Sequence, residues 1–174
     1  MFGSIGGLPI HALVIHVVVI LAPLSALLAL AYALAPRWRR TLRWPTALGA
    51  LVTGVSGVVA GESGKWLDER VIASIVPTDP TVAAHLKALG EHVAAGERLE
   101  KVCVAFMIVM LATVFWAAPA PAAERGDAPA SGARTVDTVA RVVVVLLALL
   151  LIALTIQTGH LGATAVWGTL LTTS

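Results

Sequence analysis

The sequence contains few charged residues, few aromatic residues and a single cysteine. Only 13% of its 174 residues are charged and 5% are aromatic, whereas 58% are hydrophobic. Soluble domains contain about 25% charged residues and about 45–50% apolar ones. A soluble domain of this length has too little interior to bury so much apolar surface, which excludes a soluble globular fold. With Cys103 alone, an internal disulfide, a thiolate metal cluster and a CxxCH haem-attachment motif are excluded as well.

The motifs of several common enzyme classes are also missing. There is no HExxH zinc motif, no glycine-rich phosphate loop and no GxSxG nucleophile motif. The excess of basic residues is small, and these residues lie in short connections rather than along one helix face, which excludes nucleic acid as a partner. What remains is a membrane protein that is more typical of a subunit than of an independent enzyme.

Long uncharged segments divide the chain into membrane spans. No Asp, Glu, Lys or Arg precedes Arg37, and residues 44–61, 102–123 and 142–174 also lack these four types. A membrane-spanning helix needs about 20 mostly apolar residues. We therefore predict a single all-α domain, an integral membrane four-helix bundle. Its spans are expected at about 8–36, 45–62, 91–118 and 139–161, joined by connections 37–44, 63–90 and 119–138.

The distribution of Lys and Arg predicts how the spans are oriented. The connections within 37–43 and 124–141 carry seven Lys/Arg and three acidic residues, whereas segment 62–101 carries five Lys/Arg and seven acidic residues. Short loops rich in Lys and Arg remain in the cytoplasm. Both termini and the 63–90 loop are therefore expected on the outer (periplasmic or extracellular) side of a bacterial plasma (inner) membrane.

Local patterns predict several features of the helices and loops. Gly49, Gly54, Gly57 and Gly61 indicate close helix contact in the second span. The Ala/Pro/Gly segment 118–134 is typical of a flexible loop, and a helix is expected from Thr81 onward with Thr81 or Asp79 as its cap.

The histidines are all predicted toward the outer side of the membrane. At 1.5 Å per residue, His16 and His160 lie about 30 Å from the cytoplasmic ends of their spans, and His11 and His92 about 37–39 Å. His85 is expected outside the bilayer. Ionisable side chains within spans are rare and usually face the bundle interior or a cavity. Three helices thus bring four histidines to one face.

Imidazole is a ligand for haem iron, zinc and copper. Two histidines at equal depth on facing helices can bind a haem from both sides. By depth, His11 pairs with His92 and His16 with His160, and the angle of about 140° between His11 and His16 requires separate sites or roles. Glu62 ends an apolar span and could join these histidines in a copper or zinc site. Alternatively, each histidine forms only a structural hydrogen bond with a neighbouring carbonyl.

Three segments resemble a known family in the order in which they occur. They are Leu8-Pro9-Ile10-His11-Ala12-Leu13-Val14-Ile15-His16 followed by Pro23, His92-Val93-Ala94-Ala95-Gly96-Glu97, and Gly159-His160-Leu161-Gly162-Ala163 with Val166-Trp167. The sequence thereby resembles the bacterial membrane-protein family catalogued as domain of unknown function 2231. Many members have His-Pro at His11-Ala12 and lack a counterpart of His160. Some relatives are fused to a Rieske iron–sulfur domain, which implies a respiratory electron-transfer setting.

Together these patterns predict a membrane-embedded electron-transfer protein or respiratory-complex subunit. We expect one or two b-type haems near the outer face, with His11 and His92 as the first axial pair and His16 and His160 as the second. The expected partners are the lipid bilayer and a membrane redox partner, either a Rieske-type or other oxidoreductase subunit or a quinone. The alternatives are a cofactor-free membrane anchor and an outer-face copper or zinc site.

Overall fold

The computed structural model describes residues 4–74, 80–116 and 131–171. A short antiparallel hairpin comes first, with strands β1 at Ser4–Ile5 and β2 at Leu8–Pro9. Four helices follow: α1 at Ile10–Leu34, α2 at Arg39–Ser74, α3 at Pro80–Trp116 and α4 at Ser131–Leu171. Pro36–Trp38 form a single 3-10 turn between α1 and α2. Helix α1 ends at Leu34 because Ala35 precedes a proline, which disfavours helical backbone at that residue.

Four helical segments are long and apolar enough to cross a membrane. They are Ile10–Leu34, Pro36–Arg70, Val82–Trp116 and Thr135–Trp167. The prediction of four membrane spans is confirmed, and the chain is a multi-pass membrane protein.

The helices extend beyond the predicted spans into the polar connections. Within the predicted connection 63–90, α2 continues to Ser74, and the helix expected from Thr81 onward is present and begins at Pro80. The connection 37–44 is mostly helical, and α4 begins at Ser131, inside both the predicted connection 119–138 and the predicted flexible segment. The prediction equated the end of an apolar run with the end of a helix, although Lys, Arg and Glu are good helix formers in water. The proposed Asp79 cap lies outside the described residues.

Each helix packs against two others. Helix α1 contacts α2 and α4, and α3 contacts the same two helices, so that α1 and α3 face each other diagonally. Along α1, the alanines Ala22, Ala26 and Ala29 are fully buried at a spacing of three and four residues, which places them on one face. The bulkier Phe106 and Met110 of α3 are also fully buried. The small residues of α1 and the large side chains of α3 thus both belong to the buried core.

The glycines of α2 provide the closest approach between helices. A Cβ atom on Gly54 would lie 2.5 Å from Sδ of Met107, and one on Gly57 would lie 2.7 Å from Cβ of Cys103. Gly49 similarly faces Ser25 of α1. The predicted close contact is confirmed, and it allows the van der Waals packing that holds helices together in a bilayer.

The two ends of the molecule have different chemistry. His11 of α1 and His92 of α3 lie at one end, which we call the histidine end. Tyr32, Arg39 and Asp137 lie at the opposite end, which we call the arginine end. His11 and Tyr32 are separated along α1 by about 31 Å, which matches the roughly 30 Å thickness of the hydrocarbon core.

Candidate functional site

A cavity of about 740 Å³ lies at the histidine end and is lined by all four helices. Its wall includes His11 of α1, Gly64 of α2, His92 of α3 and Gly162 of α4, and most of the remaining wall residues are aliphatic or glycine. Small-molecule sites typically have volumes of about 300–1,000 Å³, apolar walls and a few well-placed polar groups. The cavity is therefore large enough for a cofactor.

The N-terminal hairpin leads the chain into this site. Gly6 and Gly7 connect the two strands with φ values of +59° and +83°, a combination typical of the tight turns that join paired strands. Pro9 ends the second strand and is followed directly by α1, so that His11 is the second residue of the helix. The turn thus determines where the first histidine enters the cavity wall.

His11 is held by a hydrogen bond from α1 to α2. Its Nδ1 lies 3.0 Å from the carbonyl oxygen of Ala60, and the side chain is half-buried. The ring also lies against Gly64, where a Cβ atom would be 3.0 Å from Cε1 of the imidazole. The absence of a side chain at Gly64 therefore allows the ring to approach the backbone of α2.

His92 is held in the same way by a hydrogen bond from α3 to α4. Its Nδ1 lies 3.1 Å from the carbonyl oxygen of Thr158, and a Cβ atom on Gly162 would lie 2.9 Å from Cε1 of the ring. In both cases the glycine follows the accepting residue by four positions, one helical turn further along. The arrangement of histidine, carbonyl and glycine therefore occurs twice, once in α1–α2 and once in α3–α4.

These hydrogen bonds determine which ring nitrogens remain available. A backbone carbonyl only accepts, so Nδ1 must carry the proton in both His11 and His92. In a neutral imidazole, Nε2 then keeps its lone pair and can bind a metal or accept a hydrogen bond. Both rings line the same cavity. The cavity thus contains two oriented imidazoles with matching tautomers.

The family relationship is decided by a match over nearly the whole chain. The family model for DUF2231, described as a predicted membrane protein, matches residues 7–174. The chain belongs to the DUF2231 family. The matched region includes every residue of the cavity wall. No curated protein and no solved structure matches the chain.

The other histidines of this DUF2231 chain occupy different positions relative to the cavity. His16 is exposed and lies in the wall, and its Nδ1 contacts the carbonyl oxygen of Ala12 in its own helix at 2.6 Å. His85 also lies in the wall and is half-exposed. His160 is exposed and is not among the wall residues. The structure thus brings His11 and His92 to one cavity and leaves His160 outside it.

A small charged network lies between α2 and α3 beside the histidines. Nζ of Lys65 is 2.8 Å from Oε1 of Glu62 and 3.5 Å from Oε2 of Glu100. Lys65 and Glu100 belong to the cavity wall, whereas Glu62 is exposed and does not. Glu100 also packs over Gly61. Lys65 therefore places one cation next to the cavity, between two carboxylates.

Sequence reasoning missed the groups that orient the two histidines. The carbonyl oxygens of Ala60 and Thr158 carry no signal in residue type, because every residue has one. Gly64 and Gly162 did offer a signal, since each follows its carbonyl partner by four residues on a helix. Glu97 and Glu100 also lie in the wall, although the sequence, which places them on the same side as the histidines, favours solvated charges there.

The copper or zinc alternative receives no support from the positions of the ligands. Within residues 4–74, 80–116 and 131–171, no three His, Cys, Asp or Glu side chains lie together in a way that could hold a metal ion. Structural zinc sites need four protein ligands and catalytic ones need three. A haem, by contrast, needs only two axial imidazoles from the protein.

Proposed function

We propose that this DUF2231 protein is a membrane-embedded b-type haem protein that transfers electrons, with His11 and His92 as the axial ligands. The proposal rests on one observation: both imidazoles line one cavity, and both have Nδ1 occupied by a backbone carbonyl. It concerns a single haem, because His160 of the second predicted pair is not a wall residue.

The surroundings of the two histidines fit this cofactor. Histidine ligands usually donate their second N–H to a carbonyl or carboxylate, which fixes the tautomer and the ring orientation. Ala60 and Thr158 provide such acceptors. Because α1 and α3 face each other diagonally, their side chains can approach a planar group from opposite sides.

The remaining wall supports a redox role. Val18, Leu99 and Ala165 are buried apolar residues of the wall, and they exclude water from the inner part of the cavity. A bound haem would supply one-electron chemistry, and the protein would set its potential through the ligands, their hydrogen bonds and the low local polarity. The contribution of His11 and His92 is to hold the iron in a fixed position.

The orientation of the protein completes the proposal. We place both termini and the histidine end on the outer side of the membrane, with the four helices as a bundle around the cavity, because the Lys/Arg-rich connections belong to the cytoplasm. The electron partner would then be a membrane oxidoreductase subunit, such as a Rieske-type protein, or a quinone in the bilayer.

A reduced-minus-oxidised absorption spectrum of the purified full-length protein tests the haem. We expect sharp α and Soret bands that are lost in His11→Ala and His92→Ala. His160→Ala should keep them, because this exposed histidine lies outside the cavity wall. A flat spectrum would reject the haem and favour a cofactor-free membrane anchor. Stoichiometric copper or zinc in such a sample would favour the metal alternative.

A further inference from the structure

The arginine end carries a cluster of basic side chains around one carboxylate. Nη1 of Arg39 lies 2.9 Å from Oδ1 of Asp137, and Arg141 also forms an ion pair with Asp137. Arg39 further donates from Nε to the carbonyl oxygen of Tyr32 at 3.2 Å. Arg43 follows Arg39 by four residues on α2 and therefore lies on the same face of that helix. Helices α1, α2 and α4 thus meet at one charged site.

The cluster has an excess of positive charge. Three arginines and one aspartate leave it with a net charge of +2. The Nε atoms of Arg43 and Arg141 are buried and have no hydrogen-bond partner among residues 4–74, 80–116 and 131–171. A buried donor without an acceptor costs about 1–3 kcal/mol relative to one that is paired. Within the described part of the chain, Asp137 is thus the carboxylate paired with these arginines, and two guanidinium Nε–H donors remain without an acceptor.

Aromatic side chains frame the cluster at the depth of the lipid headgroups. The guanidinium of Arg43 stacks 5.6 Å from the centroid of Trp44 and 5.9 Å from that of Phe115. Trp44 and Phe115 are both exposed, as is Trp38 in the preceding 3-10 turn. Exposed tryptophans are typical of the membrane–water interface. The cluster is therefore positioned where a phospholipid carries its phosphate.

We propose that Arg39, Arg43 and Arg141 bind the phosphate of an anionic phospholipid. Guanidinium groups bind phosphate through paired N–H donors, one of which is often Nε–H, so that a phosphate supplies the kind of acceptor the cluster lacks. The net positive charge selects against a zwitterionic lipid, because the choline or ethanolamine cation would be repelled. Basic pockets between helices on the cytoplasmic side are a recurrent way to bind such headgroups.

Native mass spectrometry of the full-length protein tests this site. The protein is released from nanodiscs with equal amounts of phosphatidylglycerol and phosphatidylcholine, and the retained lipids are identified. We expect preferential retention of phosphatidylglycerol, reduced roughly 30-fold when Arg43→Gln and Arg141→Gln are combined. Arg98→Gln is the matched control: this exposed arginine of α3 donates to Ala94 of its own helix, and retention should not change.

Equal retention of the two lipids, or unchanged retention in the double variant, would overturn the proposal. Thermal unfolding of the wild-type protein provides a test that needs no variant. Phosphatidylglycerol should raise the unfolding temperature above that in phosphatidylcholine alone, and no rise would contradict the site. Inorganic phosphate added to phosphatidylcholine nanodiscs is the third arm. If it stabilises the protein as much as phosphatidylglycerol does, the ligand is free phosphate and the assignment to a lipid is wrong.

Discussion

Replacing Gly162 with alanine should displace the ring of His92. An added Cβ would lie 2.9 Å from Cε1 and 3.2 Å from Nδ1 of that ring, whereas ordinary contacts begin at 3.4 Å. The ring must therefore move by about 0.5 Å. The hydrogen bond from Nδ1 to Thr158 already measures 3.1 Å, close to the upper limit of about 3.2 Å for such bonds. A shift of this size breaks it or strains the ring.

A second glycine of the same cavity provides the control. Gly159 also lies on α4 and in the wall, and a Cβ atom there would have nothing within 4 Å. Both substitutions gain about 1 kcal/mol from the higher helix propensity of alanine, so this gain cancels when the variants are compared. What remains is the overpacking cost at Gly162, about 1–3 kcal/mol. For a chain of this length, each kcal/mol corresponds to roughly 2–4 °C in unfolding temperature.

Thermal unfolding in one detergent measures this difference, and it does so whether or not a haem is bound. We expect Gly159→Ala to unfold at or above the wild-type temperature and Gly162→Ala to unfold several degrees below Gly159→Ala. If haem is present, Gly162→Ala should also lose it more readily, because ligand positions tolerate errors of only about 0.5 Å. Equal unfolding temperatures for the two variants would refute the claim that the position of the His92 ring requires a residue without a side chain at position 162.

Three further outcomes follow from other contacts. Gly54→Ala should destabilise the protein by about 1–3 kcal/mol, because the added Cβ would lie 2.5 Å from Sδ and 2.7 Å from Cβ of Met107. Adding Met107→Gly, which removes both atoms, should relieve the clash; an additive loss in the double variant, seen by thermal unfolding, would contradict the contact. Asp137→Asn should lower the free energy of unfolding because Arg39 and Arg141 lose the carboxylate with which they pair. The loss should be about 1 kcal/mol or less, and smaller at high salt, because the site is partly exposed. If the termini face outward, alkaline phosphatase fused to the C-terminus should be active, and green fluorescent protein fused there should not fluoresce. The opposite pattern would reverse the assigned orientation.

The number of spans could be predicted from the sequence because placing a charged side chain in hydrocarbon has a high free-energy cost. The uncharged segments before Arg37 and after Arg141 therefore had to correspond to membrane crossings. The packing role of Gly54 and Gly57 followed from the same reasoning, since only small residues let helices approach closely. These inferences depend on local properties of the chain.

The parts that could not be predicted depend on contacts between distant segments. Helix α2 continues past Glu62 to Ser74, where its polar residues no longer mark a membrane span, so that hydropathy alone ended the helix too early. The carbonyl of Ala60 is selected as a partner for His11 by the way α1 and α2 pack, not by its side chain. Counting residues along each helix placed His11 and His92 at similar depth, but it could not predict that His160 lies outside the cavity wall.

Because the arrangement of histidine, carbonyl and glycine occurs once in α1–α2 and once in α3–α4, the two helical hairpins run in the same direction. Each hairpin supplies one histidine, held by the second helix of that hairpin, to the wall of the same cavity. A molecule bound there is therefore in contact with both halves of the chain, and separating the two hairpins would take away one of its two histidines.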